Sequence, residues 1–131
     1  MNHFLQYAHI RVTKMKLSLN CYAVLASALI GQSALAADPT YTGLGTITML
    51  EAGWSADTVS VTTSAPIINP AFCPITSGGY VTDPNDAGRH LFQSMLQEAL
   101  WRNRAIRLLI SGTVGDCPYG KPRIIAVNVK P

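Results

Sequence analysis

From residue 37 onward, hydrophobic and polar positions fall into short alternating segments and one helical stripe. Gly43–Leu50 (GLGTITML) is rich in β-branched and apolar residues and reads as a strand. Asp57–Ser64 (DTVSVTTS) alternates, with Val59 and Val61 on one face and Ser60 and Thr62 on the other, the signature of a half-buried strand. The connection Glu51–Ala56, containing Gly53 and Trp54, makes these two an antiparallel hairpin. Ala65–Pro74 (APIINPAFCP) holds three prolines and cannot be a central strand. Ser77–Thr82 (SGGYVT) reads as a third, short strand. Asp83–Gly88 (DPNDAG) is turn chemistry, and Asp86 or Asn85 is placed to cap the element that follows. In Arg89–Asn103, Leu91, Phe92, Met95, Leu96, Ala99 and Leu100 recur at helical spacing, with Gln93, Gln97 and Glu98 on the wet side and Trp101 at the margin of the stripe. Ile106–Ser111 reads as a strand with Ile106, Leu108 and Ile110 on one face. Gly112–Pro122 is a loop, and Arg123–Lys130 closes the chain as a strand with Ile125, Val127 and Val129 inward.

The resulting order is β-β-β-α-β-β, mainly β with one helix, an α+β chain. A two-sheet sandwich needs more strands. Five strands with a helix between the third and fourth match a small OB-like five-stranded antiparallel barrel. An open α+β sheet with the helix on one face satisfies the same order.

The first 36 residues differ in kind. Lys14 and Lys16 precede an apolar run from Leu17 to Ile30, and Ala34-Leu35-Ala36 supplies small residues before Ala37. That is the layout of a secretory signal peptide. The run is shorter than the roughly 20 residues a membrane span requires. Residues 1–36 are therefore expected to be an N-terminal extension and signal peptide, with Met1 and Met15 both open as the start. Residues 37–131 are expected to be one exported domain, periplasmic or secreted, without a membrane span.

This division changes the meaning of the charge. The chain has ten Lys+Arg and seven Asp+Glu, but Arg11, Lys14 and Lys16 lie in the leader. Residues 37–131 carry seven of each sign and are neutral. A neutral exported body argues against a nucleic-acid partner, which needs a basic groove. It also changes the cysteine count. Cys21 goes with the leader, leaving Cys73 and Cys117, and an even pair in an exported small domain reads as one disulfide. Neither sits in a CxxC motif and His90 is the only histidine after residue 36, so no metal site and no cofactor is expected.

Gly45-Thr46-Ile47, Val59-x-Val61, Asn69-Pro70-Ala71-x-Cys73, Tyr80, Leu96–Leu100, Ile106-Arg107-Leu108 and Cys117 follow a leader in this order. The order resembles small, largely uncharacterised exported bacterial proteins with one disulfide. These are in turn similar to the OB-fold B subunits of AB5-type toxins, of the subtilase-cytotoxin and typhoid-toxin kind. The resemblance implies an OB-type barrel, and it raises ring assembly and glycan binding as expectations. It carries over no sugar-contacting residue.

Catalytic groupings are sparse. His90 lacks an evident nucleophile, although Asp86, four residues earlier, is placed to share a helix face with it. No GxSxG elbow or phosphate-binding glycine loop occurs. Asp83 and Asp86 fit turn and capping preferences better than a cation site. Trp54, Tyr80 and Tyr119 fall in or near loops, where aromatics stack on sugars or anchor protein partners, or else cover the barrel ends. The expectation is a non-catalytic exported module that binds a protein or glycan. A homo-oligomeric assembly subunit and a small hydrolase or inhibitor are the alternatives.

Overall fold

The computed structural model describes residues 37–53 and 56–131. The leader, with Cys21 and both candidate start methionines, and Trp54 lie outside the described residues. The described chain forms β1 (Thr40–Tyr41), β2 (Ile47–Ala52), β3 (Val59–Thr63), β4 (Tyr80–Val81), α1 (Arg89–Trp101), β5 (Ile106–Ile110) and β6 (Ile124–Val129). The mainly β, one-helix class stands, and the strands do not pair as one continuous five-stranded sheet. They make two three-stranded antiparallel sheets, ordered β1-β5-β6 and β2-β3-β4.

The reason lies in the first strand, expected as one piece over Gly43–Leu50. The chain from Thr40 to Ala52 divides its hydrogen bonds between two partners. Its first half bonds β5: the Thr42 N–H donates to the Leu108 carbonyl at 2.9 Å, and Gly45 exchanges bonds with Ile106 in both directions. Its second half pairs with β3. At the changeover, a Cβ on Gly45 would lie 2.6 Å from the Ala65 nitrogen, so the crossing requires glycine. The lead-in Thr40–Tyr41 is thereby recruited as a strand. Two single bridges link the sheets, Gly45–Ile106 antiparallel and Val81–Arg123 parallel.

Ile106, Leu108 and Ile110 face the core as their alternation predicts, beside Val59, Val61 and Tyr80. β6 departs from its expected phase. The register skips from Leu109–Ala126 to Ile110–Ile124, so Ile125 is the extra residue of a bulge. Ile124 and Val127 are therefore buried, while Ile125 is half-exposed. Ser60, expected on the wet face, is buried because Gly78 closes over it and accepts its hydroxyl at 3.1 Å.

α1 packs against β2 and β6. Leu96 and Ala99 are buried, with Phe92 and Met95 beside them. Leu91 and Leu100 lie roughly a quarter turn to either side of this stripe and stay exposed. Trp101 points away from the core and is 84% exposed. The helix ends in a Schellman motif: Asn103 takes a left-handed φ of 49°, its N–H bonds Leu100, and the Arg104 N–H reaches back to Ala99. At the other end Gly88 is the cap residue and no side chain caps the helix. Asp86 instead accepts the Gly88 N–H at 2.9 Å, one step before the helix.

Gly79 holds φ at +81°, and a Cβ there would sit 2.0 Å from the Val61 carbonyl oxygen. Gly53 has the same φ but open space around it. Gly79→Ala is expected to destabilise by about 3 kcal/mol, from left-handed backbone strain plus a clash with main chain that cannot swing aside. Gly53→Ala should cost about 1 kcal/mol, from backbone strain alone. Urea unfolding of the two variants measures the difference, and equal losses would remove the steric role assigned to Gly79.

Candidate functional site

Two loops at one end of the β5–β6 pair form an open cleft. Asp83, Pro84 and Asn85 make one wall, and Gly115, Asp116, Cys117, Pro118 and Tyr119 make the other. Its volume is about 370 Å³, within the range of ordinary ligand sites. A second depression, beside Thr62, Thr63 and Tyr80, holds about 130 Å³ and falls below that range.

The cleft walls are held by a disulfide and by one arginine. Cys73 and Cys117 are bonded, with Cα atoms 5.6 Å apart. The bond joins two irregular segments that already run side by side: the Gly115 N–H donates to Ala71 at 3.1 Å and the Ile75 N–H to Gly120 at 2.9 Å. Asn69 fixes the approach to Cys73. Its amide oxygen accepts the Cys73 N–H and its amide nitrogen donates to the Cys73 carbonyl, both at 2.8 Å. The residues flanking the link are aromatic and left-handed: Phe72 has φ of 56° and Tyr119 φ of 53°. Bulky side chains seldom adopt that conformation, and it persists where the surroundings over-determine it. Phe72 is 76% exposed.

Arg123 stands behind the cleft. Its Nη1 donates to both oxygens of Asp116 at 3.3 Å and lies 3.8 Å from an oxygen of Asp83. Its Nη2 donates to Asp86 at 3.2 Å. Ser111 donates its hydroxyl to Asp116 at 2.5 Å. The Gly88 N–H, chiefly, and then the Arg123 guanidinium hold the Asp86 carboxyl below its ordinary pKa, against a smaller opposing effect of burial. Burial acts to lower the Arg123 pKa, but hydrogen bonds and charge from Asp86, Asp116 and Asp83 outweigh it and raise the value. Three carboxylates share one cation, so the cleft is acceptor-rich and negative. Among the described residues no cluster of His, Cys, Asp or Glu is arranged to hold a metal ion.

The expected binding aromatics separate. Tyr119 is on the cleft and 39% exposed. Tyr80 is corrected from a partner-binding residue to a core residue. It is 1% exposed, and its hydroxyl accepts the Ile68 N–H at 2.8 Å. Its alternate position on β4 points it inward, beneath the proline-rich segment. Trp54 lies outside the described residues. His90 is not paired with Asp86, as its spacing suggested. It faces Asp57 at 3.3 Å, which Arg89 also holds at 3.0 Å, while Asp86 turns to Arg123. Ser94, one turn on, spends its hydroxyl on the His90 carbonyl. Arg123, Asp116 and Phe72 were missed by the sequence reading. Only the crowding of three aspartates against few cations in the loops hinted at the cluster.

Compared with known proteins, the chain matches no family model, and no curated protein or solved structure matches it. Among the described residues, no helix is long and apolar enough to cross a membrane.

Cys73 and Cys117 are separated by 44 positions. Replacing both by Ala is expected to lower stability by about 4 kcal/mol in the chain-entropy account. Differential scanning calorimetry of the double variant tests this, and an unchanged melting temperature would show that the link constrains nothing. Asp86 adds a pH dependence. Its folded pKa is depressed, so its contribution is complete above the ordinary carboxyl value near ~4 and fades as pH falls through the folded value. Asp86→Asn should lose about 1–2 kcal/mol at neutral pH and flatten the acid limb of the stability curve, read from denaturant melts between pH 7 and pH 2.

Proposed function

We propose that the protein is an exported, non-catalytic binding module on an OB-type barrel, and that the cleft between the Asp83 and Asp116 loops takes a glycan. The barrel reading is supported by the two inter-sheet bridges. Taken with the sheet orders they give the circuit β2–β3–β4–β6–β5–β2, with a parallel step only between β4 and β6. Export is supported by the leader's sequence pattern and by the disulfide, which persists in oxidising compartments.

The observation that carries the glycan reading is the cleft lining. Carboxylates of Asp83 and Asp116 and the Asn85 amide offer acceptors for sugar hydroxyls, and Tyr119 supplies an aromatic face at the rim. The surplus of carboxylate over guanidinium selects against acidic sugars, whose own carboxylates would meet like charge. Catalysis lacks an assembled set: His90 and its Asp57 partner are both about half exposed or more, and no hydroxyl among the described residues donates to the imidazole.

A glycan array probed with the disulfide-intact protein tests the reading. Neutral or amino sugars are expected to bind and sialylated ones not. Tyr119→Ala and Asp83→Asn should each weaken binding at least tenfold without shifting the melting temperature by more than a few degrees. Binding that survives both substitutions, or a preference for sialylated glycans, overturns the cleft assignment. A blank array with capture of a defined envelope protein by the same cleft would transfer the site to a protein partner.

A further inference from the structure

The neutral charge of residues 37–131 conceals a strong asymmetry. β5 and β6 pair with Ile106 opposite Val129 at one end and Ile110 opposite Ile124 at the other, roughly 13 Å along the strands. The Ile110 end carries the cleft and its aspartates. The Ile106 end is the reverse. Arg102 and Arg104 close the helix just before β5, Arg107 lies within β5, and Lys130 is joined to this corner by its N–H, which donates to the Ala105 carbonyl at 2.8 Å. Four cations thus meet one nearby helix carboxylate, Glu98, which is already paired with Arg102.

Apolar side chains stand out at the same corner. Trp101 is 84% exposed at the end of α1. Leu44 is 52% exposed, next to the Gly45 that bonds Ile106 in both directions. Farther along β5, opposite Leu109, Tyr41 is 44% exposed and adjoins the corner through the Arg107 guanidinium, 4.7 Å above its ring. An indole projecting into solvent from the outer face of a helix gains nothing from the core. It is suited to a boundary where one side is wet and the other apolar.

We propose that this basic, aromatic corner is a docking surface for an anionic phospholipid bilayer, separate from the cleft and independent of what the cleft binds. Cations at the headgroups with Trp101 and Leu44 entering the acyl boundary match the chemistry of an interfacial anchor. A single-stranded nucleic acid would want a groove with successive stacking platforms, and the two depressions described above lie elsewhere.

The test is co-sedimentation of the disulfide-intact protein with vesicles of phosphatidylglycerol and phosphatidylcholine, against phosphatidylcholine alone. Binding to the anionic vesicles only is expected, weakening with added salt. Trp101→Ala and the Arg104→Glu/Lys130→Glu double variant should each weaken it at least tenfold. Leu91→Ala, an exposed apolar change at the far end of the helix, and Tyr119→Ala in the cleft should leave it unchanged. Near-ultraviolet circular dichroism establishes that each variant is folded. No binding to anionic vesicles, binding that ignores the Trp101 and Arg104/Lys130 changes, or retention on heparin or single-stranded DNA without vesicle binding would each overturn the proposal. Failure of the glycan array leaves it standing, because the two surfaces are read by different variants.

Discussion

The molecule depends on pinning down its longest irregular stretch. Between β3 and β4 the chain runs from Ser64 to Gly79 without a helix or strand. Such a segment loses conformational entropy on ordering and returns no ladder of hydrogen bonds to offset it. Its anchors are few and specific: the Cys73–Cys117 bond, the Asn69 amide around Cys73, the Tyr80 hydroxyl under Ile68, and the Lys121 ammonium, which donates to the Gly78 carbonyl at 3.3 Å. Two of these partners, Cys117 and Lys121, belong to the second irregular stretch, between β5 and β6. Two loops that would each be loose alone hold one another. One wall of the cleft is made from that second loop, so the same clamp that stabilises the fold shapes the site.

Arg123 couples the clamp to the sheets. Its backbone forms the parallel bridge to Val81 and accepts the Ser111 N–H at 3.0 Å, while its side chain gathers Asp83, Asp86 and Asp116 from two separate loops. Its Nε is buried without a hydrogen-bond partner among the described residues. An unpaired buried donor is unfavourable, and its presence is consistent with a head group placed by the demands of three carboxylates rather than by its own satisfaction.

Local periodicity made most of the elements legible. The Ile106–Ile110 alternation, the Val59/Val61 pair and the Phe92–Ala99 stripe each report burial directly, because side-chain direction follows the backbone period. Three features escaped. The Ile125 bulge shifts β6 by one residue, and an inserted position leaves no mark in a run of consecutive apolar residues. The split of the first strand between two sheets depends on what approaches Gly45 from Ala65, a contact between residues distant in sequence and invisible in composition. The Trp101 position on the outer helix face was obscured by its neighbour Leu100, since the two differ by one helical step. The site was less legible than the fold. Cys117 and Tyr119 marked one wall, but Arg123 and Asp116 acquire their meaning only when the loops meet, and Tyr80 was drawn inward by a hydrogen bond no pattern encodes.

The segregation of charge along the β5–β6 pair has a consequence that net charge hides. A body with equal numbers of acids and bases has no monopole to steer a partner, yet opposed ends at protein dimensions produce local potentials that a distant ion, screened over about 10 Å, feels one end at a time. Approach of an anionic surface therefore orients the molecule, basic corner first. That orientation turns the acidic cleft away from the surface and toward solvent. A ligand in solution then meets the Asp83 and Asp116 walls unobstructed. The same asymmetry that would let one end rest on a membrane would keep the other end open, and neither end needs to move for the other to be occupied.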